Sequence, residues 1–480
     1  MVLQQGQTLP VWGTATPGET VKVTFSGQTA TATAGPDGTW RIDLAALSGS
    51  KVPESLVVAS SETRFEFQDV VVGEVWLCSG QSNMEYEICN PALNKEFTVV
   101  NAAQEISAAT DPLIRHYKVP KQSSEAPQAE AGGHWEVCSP QTAAHFTAVG
   151  YFFARDLRTK LDLPVGLINS SYGGTPIEAW MSAEALAANP AFKPTLERWE
   201  KTLAAYPANK VKYDADLAAW KQEKERGANK PAPKEPAGKG HRYTPCGLFN
   251  GMIHPLLPYA MRGVLWYQGE NNASLPEEYE QLLPALISDW RGHWKEGEFS
   301  FYYVQLPGWK GGSGQTNWPL FREAQAKSLS TPHTGMAVTI DLGDPTLIHP
   351  PYKQEVGRRL ALLAENETYG LNIGETSGPT FLSSEKEGAT LVIRFAHAGG
   401  LTAKGGAVRG FEISGKDGKF VPAEATLNGD SVTLSSPDAP QPEHVRYAWA
   451  NWPEGNLYNE ANLPASPFRT DLLPAPPPRK

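Results

Sequence analysis

The spacing of apolar residues changes character twice along this chain of 480 residues. Up to about residue 72, apolar and polar positions alternate in short runs. Val21-Lys22-Val23-Thr24-Phe25 is one; the turn Gly35-Pro36-Asp37-Gly38 then leads into Thr39-Trp40-Arg41-Ile42. Alternation bounded by Gly, Pro and Asp is the signature of half-buried strands, so residues 1–72 are expected to form a small β-sandwich-like domain. The style returns over 376–480, in Thr390–Phe395, Gly410–Ile413 and Ser431–Leu434, and predicts a C-terminal β domain. The proline-rich run Leu473–Pro478 reads as a frayed tail.

Between these ends, over 73–375, strand-like apolar runs alternate with segments of helical period. That is the pattern of a parallel sheet with helices on its faces, an α/β fold. The predicted strands are Val70–Leu77, Val165–Asn169, Val264–Tyr267, Phe301–Gln305 and Met336–Ile340. The predicted helices are Ala144–Lys160, Glu277–Trp294 with Pro284 as a kink point, and Lys353–Leu363. A Lys-, Glu- and Ala-rich insertion over about 185–243 breaks the alternation. It is expected to be a solvated helical hairpin followed by an extended linker, with a lid over a site as the sharper alternative.

Composition narrows the function classes. Lys and Arg total 42 and Asp and Glu 52, a formal charge of −10 that argues against a nucleic-acid groove. No apolar run approaches the roughly 20 residues that span a bilayer, so no membrane insertion is expected. The opening Met1-Val2-Leu3-Gln4 reads as a strand already under way, as if a leader had been removed. Cys78, Cys89, Cys138 and Cys246 have no metal-ligand spacing, and no paired His and carboxylate ligands appear, so neither a metal nor a cofactor is expected.

The chemistry gathers at the strand ends, where open α/β sheets bind ligands. After the first strand comes Cys78-Ser79-Gly80-Gln81-Ser82-Asn83; after the second, Ser171-Tyr172-Gly173-Gly174-Thr175. After the third comes Gln268-Gly269-Glu270-Asn271-Asn272; after the last, Asp341-Leu342-Gly343-Asp344 and then Ile348-His349-Pro350. Alone, Ser82 would serve as a helix N-cap and His349 as a hydrogen-bonded loop residue. Together, a serine, a glycine pair, an amide-rich turn and an Asp–His pair on one edge spell a nucleophilic hydrolase site. Acyl transfer needs an activated hydroxyl, an imidazole to carry its proton, a carboxylate to orient that imidazole and donors for the oxyanion. Gly173 or Gly174 offers a backbone N–H, and Gln268, Asn271 and Asn272 offer amides. His254 is the rival base.

The blocks Gly73–Glu85, Ser171–Trp180, Leu248–Ile253, Trp266–Ala273 and His349-Pro350 with Lys353–Ala361 closely resemble the sialate O-acetylesterase family of SGNH (GDSL-like) hydrolases. The resemblance runs over nearly the whole chain. It implies a flavodoxin-like core, a secreted or periplasmic setting, no metal, and removal of O-acetyl groups from carbohydrates. It makes Ser82 the nucleophile and His349 the base, with Gly173, Gln268 and Asn272 at the oxyanion hole; because Asn271 stands where the family usually has a small residue, Asn271 is the alternative to Asn272 there. Asn83, Asn250 and Glu270, inside the matching blocks, become the substrate-binding candidates. One departure stands out: the position three before the histidine, usually the acid, is Thr346. Asp344 is the preferred orienting carboxylate, with Asp341 and a Ser–His dyad as alternatives. The expected partner is an acetylated polysaccharide or oligosaccharide ahead of sialic acid. The reading from another class is an inactive carbohydrate-binding protein.

Overall fold

A computed structural model describes residues 1–89, 97–225, 230–311 and 317–471; the expected frayed tail lies outside them. Its centre is a twisted sheet whose strands run, in spatial order, Thr334–Ala337, Ser300–Val304, Gly263–Tyr267, Arg64–Gly80, Val165–Ser171, Ile114–Lys118 and Trp135–Val137. All neighbours pair in parallel except the last. The α/β class read from the sequence is the one observed; three of the five predicted strands lie within two residues of their expected places, and Val70–Leu77 falls inside the longer strand Arg64–Gly80. The fifth ends at Ala337, three short of the expected Ile340.

Alternation inside each strand supplies both faces of the sheet with a core. Val75 and Leu77 pack with Trp180, Trp266 and Trp290 on one face, beneath the helices Pro276–Trp294 and Trp318–Lys327. Trp76 and Cys78 pack with Phe152, Phe153 and Leu360 on the other, beneath the helices Ala148–Leu161 and Lys353–Leu363. Strands buried on both faces read as continuous apolar runs, which is why the central ones were legible. Ile114–Lys118 was not, because Arg115, His116 and Lys118 interrupt it, and Trp135–Val137 was not, being only three residues long. Arg115 and His116 are nevertheless buried, Arg115 donating to the Asp69 carboxylate at 2.8 Å.

The strand Arg64–Gly80 is 17 residues long and belongs to two regions at once. Its first half pairs antiparallel with Ser50–Ala59, and Val2–Gln4 lies parallel to Val71–Gly73. Position 72, the expected domain limit, therefore falls inside one continuous strand. The N-terminal β region packs its own core of Val21, Val23, Phe25, Trp40 and Ile42. The C-terminal β strands form another around Ile393, Phe411, Val432 and Tyr447.

The insertion differs from expectation. Lys193–Glu225 is one helix of 33 residues, not a hairpin. It contains Pro207 but no Gly, so nothing in it favours a reversal, and Lys193–Glu197, Lys210–Asp214 and Lys212–Asp216 pair one turn apart along it. The chain then doubles back along it: Trp220 donates to the Lys230 carbonyl at 2.8 Å, and Gly238 lies against the Tyr206 ring. Among the described residues no helix is long and apolar enough to cross a membrane, and all four cysteines are free thiols.

Candidate active site

The turn after the central strand is built for close approach. Gly80 has φ +128°, and a Cβ there would stand 2.2 Å from the Tyr267 carbonyl oxygen, so only glycine fits. The Gln81 N–H donates to that same carbonyl at 2.9 Å. The chain then enters a four-residue helix, Ser82–Glu85, tied down by Thr147, whose hydroxyl donates to the Met84 carbonyl at 2.6 Å. Ser82 thus leaves the C-terminal edge of the sheet in a fixed direction.

His349 comes from the loop after the edge strand, and its Nε2 lies 2.7 Å from Ser82 Oγ, within hydrogen-bond reach. Its ring sits 4.9 Å from that of Phe97, centre to centre. Burial, and secondarily the positive charge of Lys353, lower its pKa to about 4, so the imidazole is neutral at physiological pH. A neutral imidazole accepting from a serine hydroxyl is the arrangement that makes the oxygen nucleophilic. The rival His254 is elsewhere, bonded through Nδ1 to the Gln128 carbonyl at 2.9 Å.

The expected acid does not reach this pair. Asp344 Oδ1 accepts from the Thr346 N–H and hydroxyl, both at 2.7 Å, and from the Leu347 N–H at 2.8 Å. It caps its own turn, the common fate of an Asp two residues before a free N–H. Asp341 is bound to Arg359 at 2.7 Å and accepts from Tyr458 at 3.1 Å. Among the described residues, no carboxylate hydrogen-bonds to His349, and the geometry is that of a Ser–His dyad.

The expected oxyanion donors are also committed elsewhere. Gln268 Nε2 donates to the Thr175 carbonyl at 3.0 Å and to Asn272 Oδ1 at 2.8 Å, and Asn272 Nδ2 donates to Glu178 at 3.0 Å. Both amides knit the turn to the Thr175–Glu178 segment. Asn271 Nδ2 donates to the Gly174 carbonyl at 2.8 Å. The Gly173 N–H donates to Glu85 at 2.7 Å, close beside Ser82. The N–H groups of Ser82, at the start of its helix, and of Gly174 have no hydrogen-bond partner among the described residues and are backbone donors left for a developing oxyanion.

The three substrate-binding candidates are internal as well. Asn250 Nδ2 donates to the Ser124 carbonyl at 3.1 Å. Asn83 is fully buried; its amide donates to Glu270 and, at 3.1 Å, to the Ile348 carbonyl, while its Oδ1 accepts from Lys353 Nζ. Sequence reasoning missed four charged residues around the pair. Glu85 and Lys121 form an ion pair, and Lys121 Nζ lies 4.8 Å from the centre of the Tyr172 ring. Arg242, carried in by the returning insertion, lies beside Gly174 and 5.8 Å from the same ring. Lys353 lies underneath. Glu85 follows Ser82 by three residues and Lys353 follows His349 by four; that local spacing was the available signal.

A strand-edge Ser–His pair on a parallel α/β sheet places the chain among the hydrolases. Comparison with known proteins sharpens this to a carboxylic ester hydrolase. A family model described as carbohydrate esterase, sialic acid-specific acetylesterase, matches residues 72–215 and 249–364. The chain is 31% identical to the rat (Rattus norvegicus) sialate O-acetylesterase, the match covering 98% of this chain and 92% of the relative. The human (Homo sapiens) sialate O-acetylesterase is 29% identical over 95% of this chain and 88% of the relative. The crystal structure of a carbohydrate acetylesterase from Xanthomonas citri is 37% identical, with a TM-score of 0.82 over 98% of this chain and 97% of that one. The chain belongs to the sialate O-acetylesterase family of carbohydrate esterases.

Proposed function

We propose that the protein is a serine O-acetylesterase that releases acetate from acetylated polysaccharides or oligosaccharides. The observation that carries this reading is the 2.7 Å contact between Ser82 Oγ and the neutral His349 Nε2 at the sheet edge. Ser82 Oγ attacks the acetyl carbonyl carbon as its proton passes to Nε2. The tetrahedral oxyanion meets the Ser82 N–H. Collapse breaks the ester C–O bond, and the imidazolium returns the proton to the departing sugar oxygen. Water, deprotonated by the same imidazole, then attacks the acetyl-serine and frees acetate. Identity to the Xanthomonas citri carbohydrate acetylesterase, 37%, exceeds the 31% to the rat sialate enzyme, which supports a general carbohydrate ester over sialate. Acetate release from acetylated xylan, xyloglucan, pectin and sialosides tests the reading. Turnover of a neutral polysaccharide by wild type and none by Ser82→Ala supports it; turnover surviving in Ser82→Ala refutes it.

One observation favours a second reading, an acetylated acidic sugar such as a sialate. Arg242 has no carboxylate partner among the described residues, and its Nε is buried with no hydrogen-bond partner. A guanidinium left in this state beside the site suits a substrate carboxylate. On this reading Arg242→Ala lowers kcat/KM for an acetylated sialoside by about ten- to a hundredfold, the worth of a charge-assisted hydrogen bond. Acetylated xylan serves as the neutral control. Equal losses on both substrates remove this reading.

A further inference from the structure

Beneath the Ser–His pair lies a charged group that the acyl-transfer steps do not use. Lys353 opens the helix Lys353–Leu363 and is completely buried, a rare state for an ammonium. It faces the rings of Tyr86 at 4.7 Å and Tyr267 at 5.3 Å, and donates to Asn83 Oδ1 at 2.5 Å. Asn83, the residue after Ser82, in turn donates to Glu270 and to the carbonyl of Ile348, the residue before His349. One amide therefore links the serine's helix to the histidine's loop, and Lys353 and Glu270 fix which way it points.

We propose that Lys353 is a positioning residue for the Ser82–His349 pair, clamping the two loops through Asn83 while holding a positive charge behind the imidazole. The proposal rests on the reading of Ser82 and His349 as nucleophile and base.

Burial is expensive for a lone ammonium, and a fold keeps one only against a compensating group. The compensation here is Glu270, a partly buried residue whose Oε2 is buried and unpartnered among the described residues. Even so, burial lowers the pKa of Lys353 to about 7, Glu270 opposing that shift. Burial raises the pKa of Glu270. Tyr86 and Tyr267 stay neutral, their phenols pushed up by burial. Lys353 is the charged group that acts on His349, and it acts in the same direction as burial. The clamp thus does two things: it sets the distance to Oγ and resists protonation of the base.

The test is the pH dependence of kcat/KM for p-nitrophenyl acetate in wild type, Ser82→Ala, Asn83→Leu and Lys353→Met. Lys353→Met keeps the length of the side chain and removes the charge. Its acid limb is expected to move up by about one pH unit, a modest effect for a nearby charge. Its kcat is expected to fall by about 10- to 100-fold with little change in KM, as for a misplaced reacting pair. Asn83→Leu should lose kcat similarly. An NMR titration of His349 in the same variants gives the midpoint without turnover. If Lys353→Met folds poorly, the Lys353→Met/Glu270→Gln variant removes both buried charges, and its midpoint should move the same way. An unmoved midpoint in a folded variant overturns the proposal. Turnover retained by Ser82→Ala instead overturns the reading beneath it, so the two failures are distinct.

Discussion

Gly173 stands against Ser82 with no room for a side chain between them. A Cβ at Gly173 would lie 3.3 Å from the Ser82 Cβ and 3.2 Å from the Glu85 carboxylate, which already accepts the Gly173 N–H at 2.7 Å. The glycine is needed for proximity; its φ lies outside the left-handed region. Gly173→Ala is therefore expected to fold with a melting temperature close to wild type. It should lose about tenfold or more in kcat, because the intruding methyl displaces Ser82 by a few tenths of an ångström. Paired kinetics and thermal melts on the purified variant check this, and an unchanged kcat contradicts it.

Ser82→Ala and His349→Ala should each remove nearly all turnover, by several orders of magnitude. The double variant should lose little more, since the two side chains act as one unit. Single-turnover assays on the three proteins decide it; additive losses would contradict the shared role.

Activity should rise with pH through a midpoint near 4. The sequence alone, with a carboxylate assigned beside His349, would place the midpoint above the ordinary histidine value of about 6.5. Burial and then Lys353 move it the other way, to about 4. Between these two values the unfolded chain binds a proton at His349 that the folded chain refuses, so stability also rises with pH across that window. A pH–rate profile and a series of denaturant titrations from pH 3.5 to 7 measure both effects. A rate midpoint above 6.5 would show that a carboxylate reaches His349 in solution.

Asp344→Asn keeps the oxygen that caps the turn and should leave kcat within about threefold of wild type. Asp341→Asn weakens the pair with Arg359, whose side chain is only 4% exposed, and should cost stability more than turnover per folded molecule. Breaking such a buried pair costs about 3–5 kcal/mol when one partner is lost, and part of that when it is made neutral. Active-site titration alongside melting curves separates the two effects. If Asp344→Asn abolishes turnover, the dyad geometry is wrong.

The sheet was legible because its central strands are buried on both faces and so carry uninterrupted apolar runs. Of the two strands that escaped notice, Ile114–Lys118 carries Arg115 and His116, whose burial depends on partners distant in sequence, Asp69 and the Phe146 ring, and Trp135–Val137 is only three residues long. Ser82 and His349 were legible because both lie in the segments that follow apolar runs at one edge of the sheet. Their surroundings were not. An amide such as Asn272 or Asn83 looks the same in sequence whether it faces a substrate or a buried carboxylate. Only the packing reveals that Glu178 and Glu270 hold these two, and that Asp344 spends its oxygen on its own turn.

The 17-residue strand from Arg64 to Gly80 gives the molecule a property that a boundary at residue 72 would conceal. Its first half is stitched to the N-terminal β region and its last residue sets the entry to Ser82, so the two parts share one ruler. Inserting a single residue between Arg64 and Val75 would turn Val75 and Leu77 from one face of the sheet to the other and carry the nucleophile with them. The N-terminal β region is consequently not an interchangeable module. A chimera that exchanges it at residue 72 must carry over the strand's phase as well as its residues.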